Sequence, residues 1–152
     1  MNFDNLLYLE KKYDSHIEKE NKLKNDNLLP KKMLAFLVSI GELANETRCY
    51  KFWSSKQPSN SNVILEKYVD SLQSLLVVGN EKNYSDIKIE DKILDLDITN
   101  QFLTLFVDAN DLVICSSKDN YITLLEDFLS LGKVLKLDFD QVEKKLIIKI
   151  TP

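Results

Sequence analysis

Only three glycines and three prolines punctuate this 152-residue chain. A sequence so sparsely interrupted has few places to turn sharply, which favours long helices over many short strands. The apolar residues agree. Phe3, Leu6, Leu7, Leu9, Tyr13 and Ile17 recur at helical spacing with Lys and Glu opposite, predicting an amphipathic helix over residues 2–24. Pro30 suits a first helical turn, where its missing N–H would have no partner anyway, so a second helix is expected over Pro30–Thr47. Its Met33, Leu34, Leu37, Val38, Ile40 and Leu43 are apolar nearly all round and predict deep burial.

A polar loop with Pro58 follows, then a third helix from near Asn60–Asn62 to Val78, with Gly79 and Asn80 as stop signals. Residues 80–97 alternate only in part (Ile87, Ile89, Ile93, Leu94, Leu96) and fit either a short strand pair near 85–97 or an irregular arm. A fourth helix is expected over Thr99–Ile114 with Thr99 as cap, a fifth over Lys118–Lys136 with Asp119 near its start, and a short sixth capped by Asp138. The β-branched end, Leu146–Ile150, fits helix and extended chain equally. No internal repeat is visible. The expected fold is an all-α bundle of about five to six helices forming one domain over residues 1–152.

A net charge of −4 and an isoelectric point near 5.1 argue against general nucleic-acid binding, which usually needs a basic face. The longest apolar stretch, Leu75–Val78, falls far short of the roughly 18 residues of a membrane span. Asp4 and Glu10 stand in the first ten residues, and no basic segment precedes an apolar run, so no signal peptide is read and a cytoplasmic location is expected. Cys49 and Cys115 lack metal-ligand spacing and read as a reduced pair.

Chemistry points to two helices. Glu42 and Glu46 are four residues apart on the second helix, and Glu66 and Asp70 are four apart on the third. That spacing puts each pair on one helix face. Two such faces brought together would offer four hard oxygen donors, which suit Mg²⁺, and a Mg²⁺ site can clamp a triphosphate and orient a water. Pairs at this spacing also occur on ordinary solvated faces. After the second helix comes Arg48-Cys49-Tyr50-Lys51-Phe52-Trp53. Its cations suit phosphates and its rings suit a base, or the rings simply pack the helix corner. His16 falls on the polar side of the first helix and reads as a surface residue.

The stretch Gly41-Glu42-Leu43-Ala44-Asn45-Glu46-Thr47-Arg48-Cys49-Tyr50-Lys51-Phe52-Trp53 resembles the signature of the dimeric, all-α dUTPases. Glu66-Lys67-Tyr68-Val69-Asp70 sits where that family has its second acidic motif, and Phe128-Leu129-Ser130-Leu131-Gly132 is similar to its last helices. The resemblance implies a helical homodimer that binds Mg²⁺ and splits dUTP into dUMP and pyrophosphate. It implies Glu42 and Asp70 as metal ligands and catalytic residues; if the chain is active, Glu46 or Glu66 from the spacing above would complete the shell, with Glu46 sharing the catalytic role. It implies Lys51 and Trp53 as contacts to the deoxynucleotide, with Asp14 at a nearby polar position and Glu10 where the family has an N-terminal Gln of the base pocket; Arg48, from its charge, is a further candidate for phosphate.

The departures matter as much. Ser39 and Lys67 stand where the two acidic motifs should begin with Glu, and Gln73 stands where many relatives carry His. Ser39, Glu42, Lys67 and Asp70 together carry one negative charge in place of four, so Mg²⁺ affinity is expected to fall sharply. Lys67 is a candidate partner for Glu42 or Asp70. Glu66 offers a replacement ligand but stands about 100° round the helix from position 67. The sequence ends Lys149-Ile150-Thr151-Pro152 without the family's Lys/Asn/Arg-rich closing motif. Two functions follow. One is a Mg²⁺-dependent pyrophosphohydrolase with a shifted carboxylate set. The other is a catalytically impaired member acting as a nucleotide-binding or protein-binding dimer; some phage dUTPases resemble this in doubling as protein partners that release a repressor.

Overall fold

The computed structural model describes residues 1–21 and 27–151, so the expected end of the first helix at residues 22–24 lies outside the described residues. Six helices follow one another: α1 (Phe3–Glu20), α2 (Leu29–Thr47), α3 (Ser61–Glu81), α4 (Ile98–Ile114), α5 (Lys118–Val134) and α6 (Phe139–Ile150). Short polar side chains start five of them. Asn2, Asn60, Asp97, Ser117 and Asp138 accept hydrogen bonds from the backbone N–H groups of Asn5, Val63, Asn100, Asn120 and Asp140. Helix α2 has no such cap and begins on Leu29-Pro30. Among the described residues no helix is long and apolar enough to cross a membrane.

The helical reading holds, and several boundaries move for identifiable reasons. Asp97 caps α4, not Thr99, whose hydroxyl instead donates to the Cys49 carbonyl at 3.2 Å. Helix α3 runs through Gly79 and Asn80 to Glu81. Gly79 is there for packing, and the Asn80 amide donates to the Leu7 carbonyl on α1 at 2.9 Å. Helix α5 stops at Val134, and Lys136 turns the chain with a positive φ of 58°. The end of the chain is helical because Val142, Leu146 and Ile150, four residues apart, bury one face of α6. In α2 the burial is one-sided: Met33, Ile40 and Leu43 are inside, whereas Leu34 and Val38 are exposed. Helix α2 packs against α3 and α4, and these two positions fall on the stripe left over.

No strand pair forms among the described residues; residues 85–97 make an irregular arm along α5. The physical reason lies in where its backbone donors go. The N–H of Glu90 is taken by Glu126 and that of Leu94 by Ser130, each at 2.8 Å, while Lys133 donates to the Lys92 carbonyl at 3.0 Å. Side chains of one helix thus satisfy the polar backbone that a second strand would have satisfied. Lys92 adds ion pairs to Asp127 at 2.7 Å and Glu126 at 3.3 Å. Asp108, on α4 beside Asp127, is pushed up to about 7 by burial and by the Asp127 carboxyl.

The centre of the bundle is held by a reciprocal clasp between α3 and α5. Tyr68 on α3 seats its ring over Gly132 on α5 and donates its hydroxyl to the Phe128 carbonyl at 3.0 Å. Tyr121 on α5 seats its ring over Gly79 on α3 and donates to the Leu75 carbonyl at 3.1 Å. Both tyrosines are fully buried, and each precedes the glycine of its own helix by 11 residues. Phe128 stacks on Tyr68 with centroids 4.5 Å apart and meets Phe36 of α2 edge-on at 6.4 Å, a geometry worth about 1 kcal/mol per pair beyond simple burial. This repeated Tyr/Gly spacing escaped the reading of the sequence because only the three-dimensional arrangement pairs the two halves.

Candidate functional site

The α2–α3 contact brings the two acidic faces together around a cation supplied by the chain itself. Lys67 Nζ lies 2.9 Å from a Glu42 carboxylate oxygen. That hydrogen bond raises the ammonium above the ordinary lysine range, and the charges of Glu42, Asp70 and Glu46 act in the same direction. The other acids are also engaged. Asp70 is ion-paired with Lys149, and Glu66 lies 3.6 Å from Lys145, both lysines on α6. Glu46 accepts from the Ser59 hydroxyl, and its backbone carbonyl accepts from the Ser59 N–H at 3.0 Å. Among the described residues no group of three or more His, Cys, Asp or Glu side chains is placed to hold a metal ion. Ser39 turns its hydroxyl back to the Phe36 carbonyl at 2.7 Å.

Lys145 and Lys149 were not anticipated. Their spacing of four residues matches that of Glu66 and Asp70, a signal present in the sequence but meaningless until α6 is known to lie against α3.

Helix α2 ends on Arg48, which adopts a left-handed φ of 58° and closes the following loop. Its guanidinium donates to the Lys56 carbonyl at 3.0 Å and to the Ser54 hydroxyl at 2.9 Å. The rings of this loop do not pack the helix corner. Phe52 is 93% exposed and Trp53 66%, and they meet edge-on at 5.2 Å. Tyr50 is anchored through its hydroxyl to Asn45 at 3.1 Å, with the Lys51 ammonium 5.8 Å from its ring. The result is a patch of three exposed rings beside the half-buried Lys51 and Arg48, directly after the acidic face.

On α1, Asp14 is claimed by Lys32 of α2 at 2.7 Å. The same ammonium meets Glu18 at 2.9 Å and Glu81 of α3 at 2.7 Å, so one largely buried cation joins three helices. Those carboxylates hold it well above the usual lysine range against the opposing effect of burial. Glu10 is buried, and its side chain accepts a hydrogen bond from the Gln73 amide at 3.4 Å. Burial pushes its carboxyl up to about 8; the Asp14 charge adds to this, while Gln73, Lys149 and Lys32 pull the other way. His16 is exposed and lies 3.2 Å from Glu20. Both cysteines are free, Cys49 half-buried and Cys115 exposed.

A protein-family model described as dUTPase matches residues 2–151. The chain belongs to this dUTPase family. No curated protein matches it. Set against the Mg²⁺ that the family resemblance implies, the donor set of this dUTPase-family chain does not fit. Glu42, Asp70 and Glu66 each have an ammonium partner, Glu46 is bonded into the loop, and the position that should open the second acidic motif is itself a cation. In the basic-aromatic segment, by contrast, Phe52 and Trp53 stand exposed.

Proposed function

We propose that this dUTPase-family chain binds a deoxynucleotide, dUTP or a close relative, without hydrolysing it through Mg²⁺, and does so as a homodimer. The observation that carries this reading is the Glu42–Lys67 ion pair, which occupies the acid expected to be central to metal binding. What favours retained nucleotide contact is the exposed Trp53 beside the half-buried Lys51 and Arg48, where a ring suits a base and the cations suit phosphates. The test is pyrophosphate release from dUTP and other nucleoside triphosphates with Mg²⁺ or Mn²⁺, against Glu42→Ala. No release above that variant is expected, together with nucleotide binding weakened at least about tenfold by Trp53→Ala, the loss of one stacked base. Release that Glu42→Ala abolishes would restore the hydrolase.

Support for the homodimer comes from a second surface. Leu34 and Val38 on α2 and Leu103, Phe106, Val107 and Ile114 on α4 are all exposed, and the two helices are in contact. Exposed apolar stripes on two contacting helices support an interface there. Gly41 lies on the same stripe of α2 as Leu34 and Val38, and a Cβ there would meet nothing within 4 Å inside the chain. A mid-helix glycine costs about 1 kcal/mol relative to Ala, so a residue with no internal reason fits the close approach of a second helix. Sedimentation should give a dimer, and Val38→Glu should weaken it at least about tenfold, since a charge at the centre of an apolar interface is left unpaired. A wild-type monomer would remove this part of the reading.

A further inference from the structure

We infer that the ammonium groups of Lys67, Lys145 and Lys149 stand in for a divalent cation, so that the acidic face of α2 and α3 is neutralised from within the chain. The inference deepens the metal-free reading above and rests on it.

The geometry is matched on both sides. Glu66 and Asp70 are four residues apart on α3, Lys145 and Lys149 four apart on α6, and they pair in the same order along both helices. The buried row Val142, Leu146, Ile150 docks α6, and each lysine immediately precedes one of its last two members, about 100° round the helix, which puts both on the flank facing α3. Lys67 completes the set from α3 itself by reaching across to Glu42 on α2. Four carboxylates (Glu42, Glu46, Glu66, Asp70) against three ammonium groups leave one net negative charge.

A hard divalent cation binds by gathering several anionic oxygens at once. Here three of the four acids already have a partner held at the effective concentration of a tether, which for short connections is millimolar or higher. Free Mg²⁺ would have to displace those ammonium groups and then remain beside them. The cation that joins the two acidic helices has in this way become part of the chain, and it adds α6 to what it joins.

The experiment is thermal unfolding of the full chain in EDTA and in about 10 mM Mg²⁺, with a Mn²⁺ titration followed by electron paramagnetic resonance. A site with a dissociation constant of about 1 mM would raise the midpoint by about 3–6 °C at that Mg²⁺ concentration. The wild type is expected to show less than about 1 °C and no comparable Mn²⁺ site. Lys67→Gln combined with Lys149→Gln exposes the acids to one another. It is expected to melt lower in EDTA and to recover part of the loss in Mg²⁺. Metal binding by the wild type overturns the inference, and so does a folded variant that Mg²⁺ does not help. If the variant fails to fold, the wild-type titration decides alone. The two proposals fail separately: pyrophosphate release without a Mn²⁺ site removes only the non-hydrolysing function, and a Mn²⁺ site without release removes only the substitution of cation by lysine.

Discussion

Gly132→Ala is expected to destabilise the protein by about 2 kcal/mol, read as a lower urea midpoint with an unchanged slope. A Cβ at this position would stand 2.5 Å from the Tyr68 hydroxyl oxygen, 2.7 Å from its Cζ and 2.8 Å from the Cζ of Phe139. Tyr68 has no room to retreat: it is fully buried, stacked on Phe128 and bonded to the Phe128 carbonyl. Overpacking a tight core costs about 1–3 kcal/mol, and a lost buried hydrogen bond adds about 1 kcal/mol more. The better helix propensity of Ala returns about 1 kcal/mol, too little to change the sign. Adding Tyr68→Phe removes the closest clashing atom, so the double variant should recover part of the loss. Full stability of Gly132→Ala would mean that the ring does not seat there.

Glu10→Gln should stabilise the chain at alkaline pH and leave it unchanged at pH near 4. The folded-state carboxyl, at about 8, lies above its ordinary 4.5, and burial is the main cause. Between those values the folded chain holds a proton that the unfolded chain has released, so the wild type loses stability as pH rises through that window. The neutral amide removes this slope. With the carboxyl raised from 4.5 to about 8 and each pKa unit worth about 1.4 kcal/mol, the gain at pH 8 should be on the order of 4 kcal/mol. Urea titrations of both proteins at pH near 4, 6 and 8 check it; parallel curves would show that Glu10 titrates normally in the fold.

The helices were legible because their signals are local. Glycine and proline scarcity, apolar period and caps such as Asp138 act within a few residues of themselves. The arm at 85–97 was not, since its backbone is satisfied by Glu126 and Ser130, about 36 residues away in sequence. At the site, the opposition of Lys67 to Glu42 could be expected, both residues lying on helices that the motifs pair. The pairing of Lys145 and Lys149 with Glu66 and Asp70 depends on where α6 docks, and the fate of Asp14 depends on Lys32 from another helix. The exposed stripe of α2 was misread as core because an apolar residue has the same signature whether it faces its own interior or another surface.

The Tyr/Gly clasp has a consequence for the site. Ring and gap stand 11 residues apart on both α3 and α5, roughly 16 Å along each helix. Like a vernier, such a pair has one setting at which both rings drop into both gaps, and sliding by a single turn would seat neither. The axial register of α3 is therefore fixed from its hidden side. Lys67 and Asp70 flank Tyr68 in sequence and take their heights from that setting, so the spacing of charges on the surface is dictated by two tyrosines that never reach it.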